Sequence, residues 1–131
     1  MELDHVGIAV RDLGQAVGRW TAVAGEPDGA PEEVAAQGVR VAFLRVGAAE
    51  VELLEPTTPE SAVGRFLATR GEGLHHLAFR VANVDAALAD LLRRGEPVVD
   101  RTGRPGSRGR RVGFAHPKAF GGVLVEFVEG P

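Results

Sequence analysis

The chain has 131 residues, 44% of them hydrophobic and 25% charged, with a net charge of −3 and no cysteine. That length fits one domain or two fused half-domains with a sizeable core, and the composition is that of an ordinary soluble globule. The charge argues against nucleic acid as a partner, while the missing cysteine excludes disulfides, thiolate zinc sites and cysteine nucleophiles, leaving N and O donors for any metal. The acidic start Met1-Glu2-Leu3-Asp4 is unlike a signal peptide, and no apolar run has the length of a membrane span. A cytoplasmic protein with no membrane partner is expected.

In chain order, the first element is a strand over 5–10 in which Val6, Ile8 and Val10 alternate with His5, Gly7 and Ala9. The large side chains should pack a core, leaving His5 on a face kept clear. Asp12 can cap a helix running to about Ala24, with Leu13, Ala16, Val17 and Trp20 at helical spacing and Gly25 and Pro27 as its stop. The stretches 39–46 and 50–54 read as a hairpin around Gly47. Thr57-Thr58-Pro59-Glu60 then opens a short helix over 61–69 that closes at Gly71 and Gly73.

The second half repeats the first. A strand sets His76, Ala78 and Arg80 against Leu77, Phe79 and Val81, and Asn83 caps a helix over 84–94 with Leu88, Leu91 and Leu92 apolar and Gly95 as the stop. Strands are expected over 98–99, 111–115 and 123–128. Each half is βαβββ, so the expected fold class is α+β, two tandem βαβββ modules forming an incomplete barrel-like sheet around a metal-binding cleft. Residues 1–131 are read as a single domain, with module 1 over 1–56, a linker helix over 57–72 and module 2 over 73–131.

The repeat also carries the chemistry. Asp4-His5-Val6-Gly7-Ile8-Ala9-Val10 returns as His75-His76-Leu77-Ala78-Phe79-Arg80-Val81, and Val51-Glu52-Leu53-Leu54-Glu55-Pro56 returns as Val125-Glu126-Phe127-Val128-Glu129-Gly130. Each copy opens on a histidine strand and closes on a glutamate strand, and two His with two Glu make an N/O ligand set for one divalent ion. A lone strand histidine is an ordinary structural residue; two at equivalent positions, each followed by a glutamate at an equivalent position, reverse that expectation. Strand parity makes His76, rather than His75, the partner of His5, and gives His75 a supporting role. Glu55 and Glu129 have the opposite parity to Glu52 and Glu126 and are expected to face solvent.

The duplicated βαβββ pattern resembles the vicinal oxygen chelate (glyoxalase/bleomycin resistance/dioxygenase) superfamily over essentially the whole chain. Within it, Asp4 to Val10, Glu52-Leu53-Leu54-Glu55-Pro56, Gly71-Glu72-Gly73-Leu74-His75-His76 and His116-Pro117-Lys118-Ala119-Phe120-Gly121-Gly122-Val123-Leu124-Val125-Glu126 are similar to the methylmalonyl-CoA epimerase family. The resemblance implies metal ligation by His5, Glu52, His76 and Glu126, with one divalent ion per chain drawn from cobalt, manganese, nickel, zinc or magnesium. It implies that Glu126 also acts as an acid/base, with Glu52 a candidate for the second. Some relatives carry another glutamate three residues after the Gln37-Gly38 equivalent, where this chain has Val41, which leaves Glu52, Glu33, Gln37 with an activated water, or another residue brought near by folding as candidates for the second base.

The dense basic segment Thr102-Gly103-Arg104-Pro105-Gly106-Ser107-Arg108-Gly109-Arg110-Arg111 reads as a solvated loop or as a phosphate-binding one. Arg104 and Arg108 are its candidates for an acyl-CoA substrate, and the resemblance adds Lys118, Gly121 and Gly122 at the substrate entrance. The implied activity interconverts (2R)- and (2S)-methylmalonyl-CoA by α-proton abstraction through a metal-stabilised enolate, in a homodimer. The alternatives are a glyoxalase I-type lactoylglutathione lyase and a non-enzymatic small-molecule-binding module. An iron dioxygenase is disfavoured, because Glu52 would fill a position that oxygen chemistry generally leaves open.

Overall fold

The computed structural model describes residues 1–130. Its eight strands and three α-helices make an α+β fold, in which the chain forms two compact units, His5–His75 and Met1–Asp4 together with the residues from His76 onward.

In the unit 5–75 the strand order is β2 (Glu32–Val34), β3 (Val39–Val46), β4 (Ala49–Pro56), β1 (Glu2–Ala9). Strands β1 and β4 are parallel, with His5 beside Glu50, Gly7 beside Glu52 and Ala9 beside Leu54. Antiparallel β3 places Phe43 opposite Glu52 and Val41 opposite Leu54, and β2 places Glu32 opposite Val41. Helix α1 (Leu13–Ala24) starts where Asp12 accepts the Gln15 N–H at 2.9 Å. Its Leu13 and Ala16 pack with Ile8, Val10, Ala42, Leu44 and Leu53 on one face of the sheet. Helix α2 (Ala62–Arg70), capped by Ser61, lays Val63 and Leu67 on the other face, against Ala9, Val39, Val41, Phe43 and Leu54.

Both faces are therefore covered, and the face expected to be clear is the more buried one along β1. His5 is 2% exposed and Ala9 fully buried. Alternation assigned the sides correctly, but small residues such as Gly7 and Ala9 let neighbours approach closely; they do not leave a face open.

In the other unit the order is β5 (Gly73–Val81), β8 (Val125–Glu129), β7 (Arg111–Ala115), β6 (Arg104–Pro105). Parallel β5 and β8 set Ala78 beside Glu126, β7 sets Phe114 opposite Glu126 and Val112 opposite Val128, and β6 sets Arg104 opposite Val112. Helix α3 (Val84–Arg93), capped by Asn83, packs Val84 and Leu88 on Phe79, Ala115, Val125 and Phe127. Gly113 makes this seating possible: a Cβ there would stand 2.7 Å from Leu88 Cδ1 and 2.9 Å from Val84 Cγ1.

Three strand expectations need correction. Val98 makes only an isolated bridge to Ala115: the Val99 and Asp100 N–H groups both donate to the Phe114 carbonyl, and the Asp100 carboxylate takes the Phe114 N–H, so the regular ladder stops there. The outer strand is β6, inside the basic segment. The last strand begins at Val125 instead of Val123, since Gly121 and Gly122 adopt φ of 64° and 101° and the Val123 N–H turns back to the Phe120 carbonyl. Finally, β2 has three residues, too few to show alternation, and was not foreseen.

Candidate metal centre

The two units build the same arrangement from repeated residues. In the first, His5 Nε2 lies 3.1 Å from Glu52 Oε1, both side chains at most 5% exposed, and Phe43 stands edge-on to the His5 ring at 5.7 Å. In the second, His76 Nε2 lies 3.1 Å from Glu126 Oε1, and Phe114 stands edge-on to the His76 ring at 5.6 Å. Parallel pairing explains the match: the histidine sits two residues before Gly7 or Ala78, whose neighbour across the ladder is the glutamate. The phenyl rings come from the residues directly opposite each glutamate, wedging each imidazole in place.

All four residues, His5 and Glu52 in one unit and His76 and Glu126 in the other, are buried. Two imidazoles and two carboxylates suit a divalent first-row ion, and a buried acid is stable only with compensating charge. The donor set therefore fits a metal.

Glu55 and Glu129 do not face solvent as their parity suggested. Glu55 accepts the Leu13 N–H of α1 at 2.8 Å, and Glu129 accepts the Val84 N–H of α3 at 2.9 Å. A helix leaves its first N–H groups without internal partners, and the face opposite the ligands is where each helix begins. One glutamate of each repeat aims at the histidine, while the other caps the helix behind it.

The basic segment is mostly neutralised by its own unit. Arg110 donates to both carboxylate oxygens of buried Asp4, which also receives Arg80. Arg111 donates twice to Asp85. The Gly103 N–H and the Arg111 guanidinium hold the Asp85 carboxyl below its ordinary range. Arg104 pairs with Asp100 at 3.4 Å and lies 5.5 Å from the centre of the Phe114 ring. Arg108 is exposed and holds a left-handed φ of 60°. Lys118 is exposed on the turn Pro117–Phe120, where its N–H donates to His116 Nδ1, and the Gly122 N–H returns to the Pro117 carbonyl.

Of the remaining candidates, Glu33 is exposed and opposite Arg40, on the face away from His5. Gln37 is half-buried in the 3₁₀ turn Ala35–Gln37. His75 packs its ring on Phe66 at 5.0 Å, a structural contact. Sequence reasoning missed Phe43 and Phe114, although Arg40-Val41-Ala42-Phe43-Leu44 and Arg111-Val112-Gly113-Phe114-Ala115 are themselves a repeat. It also missed Glu50, buried on the same face as Glu52, which no repeat marks.

Comparison with known proteins agrees with this architecture. A family model for the Glyoxalase/Bleomycin resistance protein/Dioxygenase superfamily matches residues 4–114. The uncharacterized protein YqjC of Bacillus subtilis is 39% identical over 97% of this chain and 91% of its own. The ethylmalonyl-CoA/methylmalonyl-CoA epimerase of Cereibacter sphaeroides is 37% identical over 95% and 94%. Among solved structures, a methylmalonyl-CoA epimerase in complex with methylmalonyl-CoA and NH4+ superposes with a TM-score of 0.92 at 44% identity, over 98% of this chain and 93% of that one. Its duplicated strands, paired His/Glu positions and close relatives together place this chain in the glyoxalase/bleomycin resistance protein/dioxygenase superfamily.

Proposed function

We propose that the chain is a metal-dependent methylmalonyl-CoA epimerase, with His5, Glu52, His76 and Glu126 holding one divalent ion. The observation that carries this reading is the buried His/Glu pair in each unit, in a chain 44% identical to an epimerase structure that holds methylmalonyl-CoA. Cobalt, manganese, nickel, zinc and magnesium are the candidate ions. The bound ion would supply Lewis-acid stabilisation of the charge that develops as the α-proton leaves.

The chain's own groups do the rest. Glu126 takes or returns the proton on the carbon between thioester and carboxylate. Phe43 and Phe114 fix the ligand imidazoles and keep water from their edges. Arg104, Arg108, Lys118 and the backbone at Gly121 and Gly122 contact the acyl-CoA. A single domain, a homodimer and a cytoplasmic setting complete the reading; no described helix is long and apolar enough to cross a membrane.

The test is solvent-deuterium exchange at the α-carbon of each methylmalonyl-CoA stereoisomer, followed by NMR on metal-reconstituted protein, with methylglyoxal plus thiol as the control substrate. Exchange with both stereoisomers supports the proposal, whereas turnover of the hemithioacetal alone would replace it with a glyoxalase. Metal analysis of His76→Ala and His75→Ala tests the ligands: only the first should lose the ion. Glu126→Gln should keep metal and lose exchange much more for one stereoisomer than for the other.

A further inference from the structure

Inverting a carbon centre needs one acid/base on each side of it, because the proton must leave one face and return to the other. On the face of the unit 5–75 that carries His5, the carboxylates are Glu52, Glu50 and Glu32. Glu52 is a ligand in the reading above, and Glu50 lies in register beside His5 itself, so both belong to the immediate surroundings of the ion. Glu32 differs. It is directly opposite Val41, and Val41 is two residues along from Phe43, the ring against His5. Cross-strand partners project to the same side, with Cβ atoms about 5 Å apart, so Glu32 shares the face of Phe43 and Glu52.

The second repeat shows what a side chain at this position can reach. Arg104 stands opposite Val112 as Glu32 stands opposite Val41, and its guanidinium extends to 5.5 Å from the Phe114 ring, which is itself in contact with His76. In that unit the side chain at this register leans toward the aromatic wedge. From Glu52, Glu32 is two strand spacings across and two residues along, about 12 Å between Cα atoms. That spacing leaves room between the two carboxylates for a substrate held beside the ion.

We infer that Glu32 is the second acid/base of the epimerisation, serving the face of the α-carbon that Glu126 does not. The carboxylate that Val41 cannot provide comes from the neighbouring strand. In one direction Glu126 removes the proton and the Glu32 carboxylic acid delivers another to the opposite face; in the other direction the roles exchange, and no further reactant is consumed. This inference rests on the epimerase reading.

The experiment compares wild-type protein with Glu32→Gln and Glu50→Gln, measuring solvent-deuterium exchange separately from each stereoisomer. Metal content and calorimetric affinity for each acyl-CoA are read alongside. Glu32→Gln should keep wild-type metal content and affinity, and should lose exchange about 10²- to 10⁴-fold for one stereoisomer with far less loss for the other. Equal loss for both stereoisomers, no loss, or asymmetry in Glu50→Gln instead would overturn the assignment while leaving the epimerase intact. A wild-type chain that exchanges neither stereoisomer would overturn both.

Discussion

Replacing Glu129 by alanine isolates the capping role that strand parity alone did not reveal. The half-buried carboxylate accepts the Val84 N–H at 2.9 Å, and removing it leaves that donor without its acceptor. Losing a charge-assisted hydrogen bond at a partly covered site costs about 1–2 kcal/mol, and losing a negative charge at a helix N-terminus adds roughly 0.3–1 kcal/mol. The expected destabilisation is about 2 kcal/mol, or a Tm decrease of roughly 7 °C for a chain of this length. Glu129→Gln, which keeps an acceptor oxygen, should lose only about 0.5–1 kcal/mol. Urea titrations at constant m-value measure both, with exposed Glu26→Ala as the surface reference. Glu55→Ala should behave alike, with a small addition from its pair with Arg40. If Glu129→Ala and Glu129→Gln both fall within about 0.5 kcal/mol of the reference, the capping argument is wrong.

Other substitutions probe separate features. Asp4→Asn removes the buried charge that receives Arg80 and Arg110 and should destabilise by about 3–5 kcal/mol in urea; a loss below 1 kcal/mol would show that the arginines find water instead. Gly64→Ala, normally favourable inside a helix by about 0.5–1 kcal/mol, should destabilise here by about 1–3 kcal/mol. Its Cβ would stand 2.5 Å from the Pro59 carbonyl oxygen and 2.6 Å from that of Thr58, and a raised Tm would refute this clash. Asp85 is held below its ordinary pKa by Gly103 and Arg111, so the folded state binds fewer protons and the contact stabilises above the carboxylate range, about 3.9. The stability gap between wild type and Asp85→Asn should thus shrink as pH falls from 7 to 3, and a constant gap would rule out the linkage.

The repeat made the site legible. His5 and His76 stand out because two copies place them at one register, and Glu52 and Glu126 follow from the same comparison. The helices were equally plain, since Asp12 and Asn83 cap runs with helical apolar spacing. What escaped was whatever depends on two elements at once. The capping by Glu55 and Glu129 needs to be known from where a helix starts behind a strand, and alternation reports only which side a residue takes. The pairing of Arg110 and Arg111 with Asp4 and Asp85 joins residues far apart in sequence, so a segment that reads as a free basic loop is largely compensated. Strand β2 and the Val98 bridge were too short to show a period.

The last strand of each unit carries two glutamates three residues apart with opposite tasks, Glu52 with Glu55 and Glu126 with Glu129. A slip of β8 by one residue would turn Glu126 away from His76 and, in the same event, withdraw Glu129 from the start of α3. Chains that fold but aim their ligand wrongly are thereby disfavoured, because the misaimed register is also the one with an uncapped helix. The same coupling limits how the site can diverge. The position of the donor atom cannot be tuned by sliding the strand; it can change only through the side chain itself, by shortening the acid or exchanging it for an amide. Other chemistries on this scaffold should therefore arise by substitution at fixed strand positions, with the backbone register left as it is.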